Sequence, residues 1–316
     1  MYKCNSFSLR IALGICITSF GLIMRIANKS EAVDYTYQTA EPQKQGWPLT
    51  AQEQEYILKP EFQRRPGSEK NKHLPNLWPI VPSAGFWEGR KWLDTHAQIV
   101  NHVQANAGLV DILLVGDSIT QQWNSPLDSG KLNTAWQRNF GHYKTINLGI
   151  GGDKTQNILW RLDHGGLEST DPRLVILLIG NNNMFFTPET GVDPVANGIQ
   201  MCVFNLREKF SKADVIVVKI FPAHSPGNRF YEDIKQTNIA LDKLHLEIDP
   251  KVQVLDLTSD LINLDGTLKP TLFLPDNIHL DQDTGYALYA RKLKPLVEKS
   301  LRLKPAANDN KTISKQ

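Results

Sequence analysis

From about residue 87 onward the chain alternates short apolar runs with longer helix-like segments, and this alternation limits the folds open to it more than any other feature. The runs at 109–115, 145–148, 174–179, 215–220 and 252–255 are almost continuously apolar. Strands buried on both faces of a parallel sheet read this way, whereas half-exposed strands alternate apolar with polar. Helix-like stretches lie around them at 90–105, 155–162, 195–210, 231–246 and 284–301. The pattern predicts an α/β fold, a three-layer α/β/α sandwich on a five-stranded parallel sheet with right-handed crossovers. In such sheets ligand sites form at the carboxyl ends of the strands, so the loops that follow the runs are where chemistry is expected.

The remainder of the 316 residues is read as appendages to this domain at 87–303. Lys3 and Arg10 precede a run at 11–24 that is apolar apart from Thr18 and Ser19, and Arg25 ends it. That is the shape of a signal peptide over 1–32, with cleavage after Ala27 or Ala32, and it predicts export. An uncleaved anchor is the alternative, although the run is shorter than the roughly 20 apolar residues of a membrane-spanning helix. Cys16 is preceded by the large Ile15, which argues against lipidation. Residues 33–86 form a Pro-, Gln- and Trp-rich extension whose prolines prevent long regular elements. Its Trp47 and Trp78 are expected to strap it to the domain surface, with stacking on sugar rings as the alternative. The polar tail at 304–316 is expected to be disordered.

Composition removes several functions. Lys and Arg exceed Asp and Glu by only two, a formal net charge of +2, so the basic excess that nucleic-acid binding demands is absent. Of three cysteines only Cys202 lies outside the signal segment, which leaves no intramolecular disulfide. The eight histidines are scattered, with no His-Glu-x-x-His and no Cys-x-x-Cys, so no metal is expected.

Four loops carry the residues of interest. The first strand runs into Gly116-Asp117-Ser118-Ile119-Thr120, which puts the Ser118 hydroxyl at a strand's carboxyl end. Simple capping of the next helix by Asp117 and Ser118 is the competing explanation. The second strand is followed by Asn147-Leu148-Gly149-Ile150-Gly151-Gly152-Asp153, whose glycines turn tightly and present bare N–H groups. A dinucleotide fingerprint fails there because Lys154 stands where the third glycine is needed, and a P-loop fails because Asp153 precedes Lys154-Thr155. The third strand ends at Gly180-Asn181-Asn182-Asn183, where side-chain amides suit a developing oxyanion, or merely a turn. The last strand is followed by Leu274-Pro275-Asp276-Asn277-Ile278-His279-Leu280, in which Asp276 is placed to fix the imidazole of His279. The elbow of α/β-hydrolases, Gly-x-Ser-x-Gly, is excluded by Thr120 in its last place.

Ser118, Gly152, Asn182 and His279, in this order and each after a strand, resemble the four signature residues of the SGNH (GDSL) hydrolases, with Asp276 matching the Asp three before the His. Residues 147–162, NLGIGGDKTQNILWRL, are similar to the catalytic subunits of intracellular platelet-activating-factor acetylhydrolases. That branch also has Asn where the wider family has the Asp of Gly-x-Asn-Asp, here Asn183. The resemblance implies a serine esterase without cofactor, in which His279 activates Ser118. The oxyanion donors would be Ser118, Gly152 and Asn182, and Ile119, Asn181 and Ile278 would close a pocket for a short acyl group, expected to be acetyl. It also implies a homodimer, and the export signal favours an acetylated glycan or a small ester as substrate. The same fold would serve a thioesterase or lysophospholipase, or a glycan-binding protein without catalysis.

Overall fold

A computed structural model of the chain describes residues 23–24, 35–36, 89–106, 108–124, 131–186 and 192–302. Ile23–Met24 pairs antiparallel with Tyr35–Thr36, and this ribbon falls within a separate unit at residues 1–44. Apart from these four residues, the expected signal segment and extension lie outside the described residues, as does the tail from 304.

The five apolar runs form one parallel sheet. Its strands are β1 (Gly108–Gly116), β2 (Thr145–Asn147), β3 (Thr170–Leu178), β4 (Asp214–Val218) and β5 (Val252–Leu255), in the spatial order β2-β1-β3-β4-β5. β3 begins four residues before the run that marks it in sequence, because Pro172 interrupts the apolar pattern. Proline donates no ladder bond. It is tolerated because this end of β3 pairs with β1 alone, and β4 joins only from Leu174.

Side chains alternate across the sheet, and both faces are covered. Leu113, Val115, Val175, Leu177, Val215 and Val217 enter a core with helices α1 (Gly89–Ala105), α4 (Thr155–His164), α6 (Val192–Lys209) and α7 (Arg229–Lys243). Ile112, Leu114, Ile176, Leu178, Ile216 and Val218 enter the opposite core with α2 (Ser118–Gln121), α3 (Thr134–Phe140), α8 (Thr258–Leu261) and α9 (Gly285–Arg302). A short helix α5 (Asn181–Phe186) follows β3. Replacing a core residue such as the fully buried Leu177 by Ala costs about 2–5 kcal/mol.

The strand order explains where the loops meet. β2 lies on one side of β1 and the later strands on the other, so the connections after β1 and β3 diverge and leave a crevice at their carboxyl ends.

Candidate active site

β1 ends in a turn that only glycine allows. A Cβ on Gly116 would stand 2.2 Å from both the Leu178 carbonyl and Thr120 Oγ1. Asp117 then caps α2, its Oδ1 accepting from the Ile119 N–H at 3.0 Å. The capping explanation therefore holds for Asp117 and not for Ser118, whose Oγ is 2.8 Å from His279 Nε2. The helix is held from below as well: the Tyr286 hydroxyl donates to the Ile119 carbonyl at 2.5 Å, and Trp123 packs edge-on against Trp136 and Tyr286.

The imidazole is fixed by a tight turn. Asp276 Oδ1 accepts from the N–H groups of Ile278 and His279, both at 2.9 Å, while Oδ2 lies 2.6 Å from His279 Nδ1. With Nδ1 carrying its proton toward Asp276, Nε2 is left to accept from the Ser118 hydroxyl. The turn closes through the Leu274 N–H to the His279 carbonyl at 2.8 Å and a bridge between Phe273 and Leu280. Asn277 takes a left-handed φ of 57°, and its carbonyl accepts from the N–H of His224, which sequence reasoning had not singled out. Partial burial pushes the Asp276 carboxyl upward, but the bonds from His279 and from the two backbone N–H groups outweigh it and hold the pKa below the ordinary value. Asp276 thus stays ionised beside the imidazole.

The glycine-rich loop after β2 passes directly over α2. A Cβ on Gly149 would lie 2.2 Å from Gln121 N, and Gly152 has φ 82°. Gly149 N–H donates to Asn147 Oδ1 and Gly151 N–H to Gln121 Oε1, at 2.8 and 2.9 Å. Among the described residues, no hydrogen-bond partner takes the backbone N–H of Ser118 or of Gly152. Two donors beside the hydroxyl are therefore unspent, the arrangement that suits an incoming oxyanion. Asn182 Nδ2 donates to the Asp153 carbonyl at 3.0 Å and lies 3.4 Å from Asp117 Oδ2.

The other candidates divide. Asn183 is fully buried and structural: its Oδ1 accepts from Thr155 N–H at 3.1 Å, and its Nδ2 donates to Thr155 Oγ1 and Gln156 Oε1. A carboxylate there would lose those donations. Asn181 is buried with Oδ1 unpartnered among the described residues. Ile119 sits in the core beneath α2, whereas Ile278 packs against the opposite core, so the two flank the site from different layers.

Sequence reasoning missed a buried polar cluster behind the loop. Arg161 Nη1 donates to Asp153 Oδ2 at 2.6 Å, and Trp92 Nε1 donates to Asp153 Oδ1 at 2.9 Å. Burial raises Asp153 to about 6 even against the Arg161 charge, and it raises Asp117 to about 7, with the Asp153 charge adding to the rise. The one available signal was Asp153 directly after two glycines, with Arg161 eight residues on. Among the described residues, no three His, Cys, Asp or Glu side chains gather as metal ligands.

Residues 114–288 match the model of the GDSL-like Lipase/Acylhydrolase family. The chain is 32% identical over 214 residues to platelet-activating factor acetylhydrolase IB subunit alpha2 of Gallus gallus, covering 67% of this chain and 85% of that protein. It is 29% identical over 207 residues to subunit alpha1 of Homo sapiens, covering 66% and 83%. A solved structure from Streptococcus pneumonia, provisionally described as a platelet activating factor, superposes with a TM-score of 0.53 at 22% identity, covering 66% of this chain and 93% of that one. At that identity the likeness shows a shared fold.

Proposed function

The chain belongs to the GDSL-like lipase/acylhydrolase family and is a carboxylic ester hydrolase, and from that premise we propose that it removes short acyl groups, acetyl first, through an acyl-enzyme on Ser118. The observation that carries this reading is the relay from Asp276 through His279 to Ser118, with contacts of 2.6 and 2.8 Å. His279 Nε2 takes the hydroxyl proton as Oγ attacks the ester carbonyl, then returns it to the departing alcohol. Water repeats the sequence to free the acid. The negative oxygen of each tetrahedral intermediate is received by the N–H groups of Ser118 and Gly152 and by the Asn182 amide, one donor of this kind contributing about 3 kcal/mol. Asp276 holds the imidazole tautomer and stabilises the imidazolium without taking a proton itself.

The preference for acetyl is supported by the bulk of Ile119 and Ile278, the immediate neighbours of Ser118 and His279, and by the acetylhydrolase activity in the relatives' names. The signal-like run at 11–24 supports export, and for an exported enzyme an O-acetylated glycan is the natural target and a lipid ester the second. Dimerisation is proposed on the resemblance alone. The test is hydrolysis of p-nitrophenyl esters of two, four and eight carbons by the wild type and Ser118→Ala. The reading expects rates that fall with chain length and a variant without activity. A variant as active as the wild type sinks the nucleophile assignment, and a preference for the eight-carbon ester replaces the acetylesterase with a lipase or thioesterase.

A further inference from the structure

We propose that Arg161 is a positioning residue for the oxyanion donors: its guanidinium spans the glycine-rich loop from end to end and, through Asp153, sets the Asn182 amide. The inference rests on the assignment of Gly152 and Asn182 as those donors.

The loop needs such a device. Between Leu148 and Asp153 three of four residues are glycine, and Gly152, whose N–H is to meet the oxyanion, has the backbone freedom that makes a fixed geometry hard to keep. Arg161 comes from α4, on the far side of the loop. Its Nη2 donates to the carbonyl of Leu148 and its Nη1 to the carboxylate of Asp153 at 2.6 Å, so one planar group grips the residues that bracket the glycines. Trp92 of α1 holds the second carboxylate oxygen at 2.9 Å. The Asp153 main-chain carbonyl in turn accepts from Asn182 Nδ2 at 3.0 Å, which carries the same restraint to the third donor. Two helices and one ion pair thereby define the positions of both donors that do not belong to the serine.

Stability is a poor explanation for this pair. Arg161 is 5% exposed and Asp153 not at all, and taking both charges out of water offsets most of their attraction. Burial raises the carboxyl even with the cation in contact, as expected of a pair that is expensive to keep charged. What an apolar replacement would lack is the rigid fork. Lysine lacks it too, because a single ammonium does not present two parallel donors in a fixed plane.

The test uses Arg161→Lys and Trp92→Phe in the full chain, with p-nitrophenyl acetate as substrate. Active sites are counted by running a fluorophosphonate to completion, so that kcat is expressed per competent serine and misfolded protein does not enter. We expect kcat per site to fall about 10- to 100-fold in Arg161→Lys, the scale of an ångström-sized misplacement or partial loss of an oxyanion donor, with KM within about threefold. Trp92→Phe keeps the charges and most of the ring and should fall about threefold, which keeps the proposal testable if the arginine variant does not fold. A purely structural role predicts fewer titratable sites with unchanged kcat at each, and kcat per site within twofold of wild type in Trp92→Phe and in any folded Arg161→Lys overturns the proposal. Failure of the underlying assignment looks different: Asn182→Ala would then keep the wild-type kcat per site, whatever Arg161 does.

Discussion

In the turn of residues 273–280 the bonds that orient the imidazole join residues two or three apart, and the Asp276 side chain is 43% exposed. In the loop of residues 148–153 the bonds come from partners 8, 13, 29 and 61 residues away, and the Asp153 side chain is fully buried. Both regions face the Ser118 hydroxyl. The proton-transfer side is a self-contained turn that needs the fold only to deliver it, whereas the oxyanion side exists only once the sheet and three helices have assembled around it. Changes in the first should therefore reach catalysis with little effect on stability, and changes in the second should reach both.

The largest expected effect tests the first half of that contrast. His279→Ala should lower kcat by about 10⁴-fold or more, and Asp276→Asn by about 10³–10⁴-fold, through loss of the base and of its tautomer. Because the turn is exposed and locally bonded, the thermal midpoint should move by only a few degrees. A drop below tenfold for Asp276→Asn would mean that the backbone bonds of the turn orient the imidazole without the carboxylate. A large fall in midpoint would break the contrast itself. Next in size, Asn182→Ala should lower kcat by about 10²–10³-fold with KM little changed. It should also destabilise the fold, since it leaves the buried Asp153 carbonyl without its donor.

The same contrast explains what could be read in the sequence. The parallel sheet was legible because strands buried on both faces are uninterrupted apolar runs, and the start of β3 was not, because Pro172 breaks the run where only β1 is its neighbour. Asp276 and His279 were legible for the reason that they work locally: three residues of spacing suffice to bring them together. α3, seven residues long, left no periodic signal to compete with its surroundings, and only its cap, Asn133 accepting from the Trp136 N–H, marks it. Arg161, Asp153 and Trp92 were illegible because a charge on a helix ordinarily faces water, and nothing in one sequence says that residues 61 apart meet in a dry interior. The tryptophans of the extension, Trp47 and Trp78, lie outside the described residues.

Asp117 adds a pH test of the buried side. Burial lifts its pKa from 3.8 to about 7, opposed by the Ile119 N–H and assisted by the charge of Asp153. Between those values the folded protein holds a proton that the unfolded chain has released, so stability falls as pH rises from about 4 to about 7 and levels off above. Asp117→Asn keeps an oxygen for the Ile119 N–H and removes the titration. Its thermal midpoint should match the wild type near pH 4 and exceed it at pH 8, by roughly 3 kcal/mol of stability once relaxation of the interior is allowed for. Parallel curves across that range would show that Asp117 is ionised in the fold and that this side is wetter than its burial implies.

The smallest effect concerns the serine itself, which stands between the two regions. Tyr286 is fully buried, and its hydroxyl donates to the Ile119 carbonyl at 2.5 Å while its ring packs edge-on against Trp123. Tyr286→Phe keeps the ring and leaves that carbonyl without the donor, which should cost about 1–3 kcal/mol in chemical denaturation. Catalysis should change by no more than about threefold, because α2 is also tied by the Gln121 N–H to the Asp117 carbonyl and the Gln122 N–H to the Ser118 carbonyl, at 2.8 and 2.9 Å. A loss of stability without loss of kcat would assign the nucleophile turn to the locally fixed class, alongside the turn of His279. A tenfold fall in kcat together with that loss of stability would assign it to the other class, with the position of Ser118 set from the core beneath it as Gly152 is set from behind.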